Sequence, residues 1–282
     1  MLDTRSSLGW PASADTADPE TSPTMVHTSM VPGRVHLWVF DVTMLERSAA
    51  ENCRDVLSPD EIERAGRFHS PEDRNRFKSG RSIVRGILSH YVGQPPSGVR
   101  FRLGRHGKPF LEGSSLLVNW SHSGSLWSLA IAESGAIGVD IEVEANAADW
   151  AGPASIAFST NEIAYVIHAQ DAERRSRHFL DVWTRKEALF KASGKGLHDE
   201  MRAISVIDAG GKPAAKLDLG AEGWWWLTEF RAAASMAGAL ATAFEPIDIQ
   251  LFDGRALIDP TGNQGWASRR NCLSSVRLEP LP

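Results

Sequence analysis

The sequence predicts an α+β fold made of two lobes. Three features support this prediction: each half contains a capped helix start, a long helical segment and several short apolar segments typical of strands. With 282 residues and 42% hydrophobic content, the chain can bury one large core or two cores of ordinary domain size. We find no convincing residue-level repeat between the two halves.

The first half begins with a strand and two capped helices. Residues 35–40 form an apolar run suited to a buried strand. Ser58 precedes a proline and stands three residues before Glu61, which is the pattern of a capping box. Ser70 also precedes a proline and predicts a second, longer helix that continues to about Tyr91.

The remaining elements follow from periodicity and from turn and capping residues. In chain order they are strands at 116–118, 126–131 and 136–144, a capped helix start at Ser159 to Glu162, a helix at 177–192, and strands at 224–230 and 237–244. Because short turns separate the first three of these strands, we expect them to form a meander.

These elements divide the chain into four parts. Residues 1–31 are rich in Ser, Thr, Pro, Ala and Asp, which predicts a disordered leader. Residues 32–135 are predicted to form an N-terminal lobe, and residues 136–247 a C-terminal lobe. Residues 248–282 are turn-rich and weakly periodic, so we expect a loosely packed extension.

Charge and cysteine content narrow the classes of function. The net charge of −5 and the pI near 6.0 argue against a protein that coats nucleic acid, because such proteins carry a basic excess. Cys53 and Cys272 are too few for a disulfide scaffold, which favours a reducing, cytoplasmic setting. No apolar run approaches the roughly 18 residues that a membrane span requires, so no membrane partner is expected.

Carboxylates alternate with apolar residues in the segment 137–144. If the segment is a strand, Asp140 and Glu142 project from the same face and are close enough to converge on one hard cation such as Mg²⁺. The alternative is a solvated strand face, which is the more frequent explanation of an isolated pair of this kind.

A third carboxylate lies on the predicted helix 177–192. Glu187 and Lys191 are one helical turn apart at the border of an apolar stripe, so both could face a cleft. The alternative is an ordinary surface pair. Lys186 falls inside the apolar stripe, where its charge requires either room to reach solvent or a partner.

Several short motifs occur together in a fixed order. They are Arg64-x-x-Arg67-Phe68, Asp73-x-x-Arg76, Gly107-Lys108-Pro109, Asn119-x-Ser121-His122-Ser123-Gly124, Gly138-Val139-Asp140-x-Glu142 and Trp183-x-x-Lys186-Glu187-x-x-x-Lys191-x-x-Gly194-x-Gly196-Leu197. This set resembles the signature of the 4′-phosphopantetheinyl transferase superfamily. The similarity covers about residues 58–197. Glu61 departs from the pattern, since some relatives carry a basic residue there.

The length of the chain resembles the larger, surfactin-synthetase-activating type of this superfamily. The resemblance implies a pseudo-two-fold pair of similar α+β lobes, with the active site in the cleft between them, and a monomer. It also implies that Asp140, Glu142 and Glu187 bind Mg²⁺, and that Lys191 stabilises charge on the phosphoryl group under attack. Either Glu162 or Glu187 would be the general base, although Glu162 could instead serve only the capping box.

The resemblance places the coenzyme A contacts mainly in the N-terminal lobe. The residues that match the family's contacts to the phosphates and adenine are Arg64, Arg76, Lys108, Pro109, Ser121 and His122. We expect Ser121 and His122 to lie in a loop whose backbone N–H groups could bind a phosphate. A solvated histidine and surface ion pairs are the alternatives.

The function implied is transfer of the 4′-phosphopantetheine group of coenzyme A to a serine of an apo acyl, peptidyl or aryl carrier protein, as in fatty acid, polyketide, nonribosomal peptide or siderophore assembly. Adenosine 3′,5′-bisphosphate would be released. One alternative is a two-metal phosphodiesterase or nuclease, which could use the same carboxylates and lysine. Another is a catalytically inactive relative that binds coenzyme A or a carrier.

Overall fold

The computed structural model describes residues 30–44, 56–144, 149–195, 199–232, 235–254 and 275–277. The predicted leader lies outside these residues except for its last two, and both cysteines lie outside them. Among the described helices, none is both long enough and apolar enough to cross a membrane.

The first lobe combines two helices with strands. Its elements are β1 Arg34–Asp41, α1 Pro59–Gly66, α2 Pro71–Val92, β2 Phe101–Leu103, β3 Pro109–Leu111, β4 Leu117–Ser123 and β5 Leu126–Ala132, with 3₁₀ turns at Val42–Met44, Pro96–Gly98 and Arg105–Gly107. The predicted capping box is confirmed, because Ser58 N donates to Glu61 Oε2 at 2.9 Å and the Ser58 side chain accepts from Glu61 N.

The second lobe repeats this plan. Its elements are β6 Ile137–Val143, α3 Ala151–Ala157, α4 Thr160–Ile167, α5 Ala172–Ser193, β7 Lys216–Asp218, β8 Trp224–Phe230 and β9 Met236–Thr242, with 3₁₀ turns at Asp199–Ala203 and Gly220–Glu222. Ser159 and Glu162 form the second predicted capping box. The helix predicted at 177–192 begins five residues earlier, at Ala172, because Asp171 caps it by accepting from Arg174 N.

The strands form two main sheets. One contains five strands in the order β11-β10-β1-β5-β4, where β10 is Asp248–Asp253 and β11 is Ser275–Arg277. The other has the order β6-β9-β8-β7, and β2 and β3 form a separate pair. The predicted meander is therefore wrong for its third strand, since β6 pairs with β9 in the other sheet.

The prediction of a loosely packed C-terminal extension is wrong for residues 248–253. These residues form β10, which runs parallel to β1 in the first lobe. Phe252 is buried and stacks on Trp38 with ring centroids 4.6 Å apart. Burial of this aromatic side chain stabilises the packing of β10, which the turn-rich composition of residues 248–282 did not predict.

The helices of the two lobes recur at the same spacing, although the sequences of the two halves show no convincing residue-level repeat. Pro59 and Thr160 begin α1 and α4, and Pro71 and Ala172 begin α2 and α5, with the same separation in both cases. The long helices also end alike, because Gly93 and Gly194 both cap them in the left-handed conformation. The α+β fold is therefore a pair of similar lobes.

The lobes share a hydrophobic core. Along β1, Val35, Leu37 and Val39 face the second lobe, whereas alternate residues pack beneath α2. The partners in the second lobe include Ile137 and Val139 of β6. Because β1 is buried on both faces, its sequence is a continuous apolar run rather than an alternating one.

Candidate active site

The site lies where α5 crosses β6 at the boundary between the lobes. Gly138 allows this crossing, because a Cβ atom at this position would lie 2.1 Å from Ala188 O and 2.4 Å from Ala192 N of α5. Apolar residues of β6 face the first lobe, so Asp140 and Glu142 face the α5 side of the strand.

Asp140 is buried and held by one of its two oxygens. Its Oδ1 accepts a hydrogen bond from Ser121 Oγ at 2.7 Å and another from Lys191 Nζ at 2.6 Å. Its Oδ2 is buried without a hydrogen-bond partner in the described part of the chain. A buried carboxylate oxygen of this kind is available to a cation.

Glu142 and Glu187 complete the acidic group. Glu142 Oε2 accepts a hydrogen bond from Ser123 Oγ at 2.7 Å. Glu187 is also buried, and desolvation, followed by the charge of Asp140, raises its pKa to about 7. The three carboxylates are therefore near enough to one another for their charges to interact.

The described residues contain no ready-made metal shell of three or more His, Cys, Asp or Glu side chains. Lys191 instead supplies the positive charge beside Asp140. The donor types still suit a hard cation, because all three groups are carboxylates whose charges interact, and Asp140 Oδ2 has no hydrogen-bond partner among the described groups. Shared metal binding by these three residues stays a prediction.

A cavity of about 560 Å³ adjoins these residues. Its lining residues are Ser58, Asp60, Glu61, Arg64, Phe77, Arg81, Phe101, Leu103, His106, Gly107, Lys108, Pro109, Asn119, Trp120, His122, Trp127, Glu187, Phe190, Lys191 and Gly194. Residues of both lobes therefore form its wall, which contains both apolar and charged side chains. This composition suits a ligand that has both an aromatic and an anionic part.

Most of the predicted coenzyme A contacts lie at this cavity. Arg64, Lys108, Pro109 and His122 line it. Arg76 is not among its lining residues in the described structure, and its guanidinium pairs instead with Asp73 at 3.2 Å on the same helix.

Ser121 and His122 belong to β4 rather than to a loop, which corrects our expectation. Their side chains, rather than a series of backbone N–H groups, reach the site. Ser121 Oγ contacts Asp140 and Lys191, and the His122 ring stacks on Trp127 with centroids 4.7 Å apart.

Lys108 crosses the boundary between the lobes. Its Nζ donates to Ala192 O at 2.6 Å and to Ile137 O at 3.2 Å, at the end of α5 and the start of β6. Burial lowers its pKa to about 8. In this arrangement the ammonium group satisfies a carbonyl that the end of a helix leaves unpaired.

Glu162 does not line the cavity among the described residues, and its side chain is wholly buried. Both of its oxygens lie 2.8 Å from Lys186 Nζ, and it also accepts from the backbone N–H groups of Ser159 and Val206. These contacts match the capping alternative for Glu162, and they supply the partner that the charge of Lys186 requires.

Several residues at the site were not among the site residues that we predicted from the sequence. Glu61 is buried and accepts hydrogen bonds from Arg81 and Arg85, which explains an acidic residue where some relatives are basic. The guanidinium of Arg81 lies over Trp120, 4.2 Å from the ring centroid.

Ser123 was also not among the predicted site residues. The alternation of Asn119, Ser121 and Ser123 was a usable signal, because polar residues on every second position of a strand share a face.

Two family models match the chain. Residues 136–241 match the model described as 4′-phosphopantetheinyl transferase superfamily. Residues 46–134 match the model described as 4′-phosphopantetheinyl transferase, N-terminal. Together the two matches extend over both lobes.

Individual relatives agree with the family models. The chain is 36% identical over 173 residues to 4′-phosphopantetheinyl transferase HetI of Nostoc sp. (strain PCC 7120), covering 60% of this chain and 72% of the relative. It is 30% identical over 168 residues to 4′-phosphopantetheinyl transferase Sfp of Bacillus subtilis, covering 57% and 71%. The chain therefore belongs to the 4′-phosphopantetheinyl transferase superfamily, the enzymes that transfer the 4′-phosphopantetheine group of coenzyme A to carrier proteins.

Proposed function

We propose that this enzyme transfers 4′-phosphopantetheine from coenzyme A to a serine hydroxyl of an apo acyl, peptidyl or aryl carrier protein, using the cleft between the lobes. The serine oxygen forms a bond to the phosphorus that bears the pantetheine arm. The bond from that phosphorus to the bridging pyrophosphate oxygen breaks, and adenosine 3′,5′-bisphosphate leaves. The serine proton passes to a carboxylate of the enzyme.

The observation that best supports this proposal is the state of Asp140. One oxygen is fixed by Ser121 and Lys191, and the other is buried without a partner in the described structure, beside a cavity lined by both lobes. Lys191 would lie close to the phosphoryl oxygens of a bound pyrophosphate and stabilise the charge that develops there.

We propose that Asp140, Glu142 and Glu187 hold Mg²⁺. When bound, Mg²⁺ would neutralise part of the pyrophosphate charge and polarise the phosphoryl group. Desolvation first, and the charges of Asp140 and Glu142 after it, raise the pKa of Glu187. A cation bound between these carboxylates would offset both the desolvation and the repulsion.

Glu187 is the better candidate for the general base. It lines the cavity, where a carboxylate can reach the hydroxyl of an incoming serine. Glu162 has both oxygens engaged by Lys186 and lies outside the cavity lining of the described residues, so we assign it a structural role.

Arg64, Lys108, Pro109 and His122 are proposed to contact coenzyme A, because they line the cavity. The aromatic side chains in the same wall offer surfaces on which an adenine ring could stack. A carrier would approach at the mouth of this cleft.

We further propose that the enzyme is a cytoplasmic monomer that serves polyketide, nonribosomal peptide or related secondary metabolism.

The test is incubation of the enzyme with coenzyme A, Mg²⁺ and a panel of apo acyl, peptidyl and aryl carriers, followed by intact-mass measurement. We expect the mass of the carrier to rise by one phosphopantetheine group, and we expect EDTA to prevent this increase.

Asp140→Asn should lower kcat by at least about 10²-fold, in the range seen for loss of one electrostatic group in an active site. The melting temperature of this variant should change little. No mass increase with any carrier would refute the proposal, and an unchanged kcat in Asp140→Asn would refute the metal assignment.

A further inference from the structure

We propose that β4 of the first lobe positions the acidic residues of the second lobe, and that Ser123 is the positioning residue for Glu142. This inference rests on the proposed metal site. Its evidence is a row of side-chain contacts between β4 and β6, which lie at the edges of two different sheets. In the described pairing, β4 bonds through its backbone to β5 and β6 bonds to β9.

Side chains of β4 replace the missing backbone ladder. Asn119 Oδ1 accepts a hydrogen bond from Val139 N at 2.7 Å, and Ser123 Oγ accepts one from Val143 N at 3.1 Å. Both bonds join residues that are 20 positions apart, so the two strands advance together as a parallel pair. The β4 side chains thus supply the acceptors that edge N–H groups of β6 require.

The backbone donor fixes the direction of the Ser123 hydroxyl. Because Val143 N–H can only donate, the hydroxyl accepts from it, and its own proton is directed to Glu142 Oε2 at 2.7 Å. Ser121 follows the same logic at Asp140. The ammonium of Lys191 can only donate to Ser121 Oγ, at 2.8 Å, so the hydroxyl donates to Asp140 Oδ1.

Each acidic residue of β6 therefore has one oxygen held by a serine from the other lobe. Asn119, Ser121 and Ser123 are all buried, so water does not compete strongly for these bonds. Hydrogen bonds of this kind orient metal-binding carboxylates and raise their affinity for the ion. The metal site is then complete only when the two lobes are docked in this register.

The test compares Ser123→Ala with Ser123→Thr, which keeps the hydroxyl, and with Ser89→Ala as a matched control. Ser89 is a buried serine of α2 whose hydroxyl donates to Gly86 O at 2.7 Å. Binding of Mn²⁺ to the coenzyme-free enzyme is measured by electron paramagnetic resonance of the unbound ion. Thermal unfolding confirms that each variant is folded at the temperature of measurement.

We expect Ser123→Ala to weaken Mn²⁺ binding by about 10- to 100-fold, the usual effect of removing a partner of a metal-binding side chain. The Mg²⁺ concentration for half-maximal rate should rise in parallel, whereas KM for coenzyme A should stay within about threefold at saturating Mg²⁺. Ser123→Thr should restore most of the metal affinity, and Ser89→Ala should bind Mn²⁺ like the wild type.

Asp140→Asn separates the two levels of this inference. If Asp140→Asn abolishes Mn²⁺ binding and Ser123→Ala leaves it unchanged, the metal assignment stands and the positioning role of Ser123 is refuted. An equal loss in Ser89→Ala would also refute it, because the effect would then follow from any lost buried hydrogen bond. If Asp140→Asn binds Mn²⁺ normally, the metal assignment and the positioning role both fail.

Discussion

At the scale of single residues, two buried cationic side chains each contact a carboxylate. Lys186 is wholly buried against Glu162, and Arg185 contacts Glu229 at 2.7 Å. His36 is the contrasting case, because it is wholly buried and only its Nδ1 has a described partner, the hydroxyl of Tyr91 at 2.7 Å. An imidazole in this setting resists protonation.

His36 is predicted to make the fold sensitive to mild acid. Desolvation and the charge of Arg34 lower its pKa from 6.5 to about 4, and Asp248 opposes this only in part. The unfolded chain therefore takes up a proton below pH 6.5, whereas the folded protein does so only near pH 4. We expect His36 to reduce the free energy of unfolding by about 2 kcal/mol between pH 7 and pH 5.

Urea denaturation at both pH values measures this effect. His36→Gln should be less stable than the wild type at pH 7, but it should lose less stability on going to pH 5. The exposed His69, changed to Gln, is the control and should keep the wild-type pH dependence. Equal pH dependence in the wild type and in His36→Gln would contradict the prediction.

At the scale of elements, each lobe has a helix-capping carboxylate that also binds a cationic side chain of the next long helix. In the first lobe, the Glu61 carboxylate that caps α1 also accepts hydrogen bonds from Arg81 and Arg85 of α2. In the second lobe, Glu162 caps α4 and accepts a hydrogen bond from Lys186 of α5. A single carboxylate thus satisfies a helix start and fixes the position of the following long helix, which in the second lobe carries Glu187 and Lys191.

Glu162→Gln is predicted to act on stability more than on catalysis. It leaves Lys186 buried without an opposite charge, which should lower the free energy of unfolding by about 3–5 kcal/mol. Glu63→Gln is the control, because it breaks only an exposed pair with Arg67 and should cost less than about 1 kcal/mol. Below its melting temperature, folded Glu162→Gln should keep kcat within about tenfold of the wild type. A loss of about 10²-fold or more with unchanged stability would instead identify Glu162 as the general base.

At the scale of the whole molecule, a strand that follows the second lobe belongs to the sheet of the first lobe. After β9 the chain returns to the first lobe as β10, which lies beside β1. The opposite face of β1 packs against the second lobe in the shared core. Loss of packing around β10 should therefore destabilise both lobes, because β1 belongs to the core that the lobes share.

Phe252→Ala tests this coupling. Removing an aromatic side chain that is only 1% exposed should lower the free energy of unfolding by about 3–5 kcal/mol. Tryptophan fluorescence and far-UV circular dichroism should still report one coincident transition, as expected when the lobes unfold together. Trp224→Ala, at a ring that is 48% exposed, should change stability much less. Two separate transitions in Phe252→Ala would show that the lobes unfold independently.

The sequence by itself determined the features that depend on near neighbours. The capping boxes at Ser58 and Ser159 involve residues three positions apart, so they are visible in the sequence and present in the fold. The same is true of the alternation that sets Asp140 and Glu142 on one face of β6. The order of the motifs was also sufficient to indicate the superfamily, which the comparisons support.

Only the tertiary structure decided which distant segments meet. The apolar pattern of β6 fits either sheet, and nothing local indicates that it pairs with β9 or that β10 returns to β1. Nor could spacing assign Lys186 to Glu162, because that pair forms only when α4 and α5 pack together. Ser123 meets Glu142 only after the two lobes have docked. Backbone capping is encoded over one helical turn, whereas these contacts depend on the path of the whole chain.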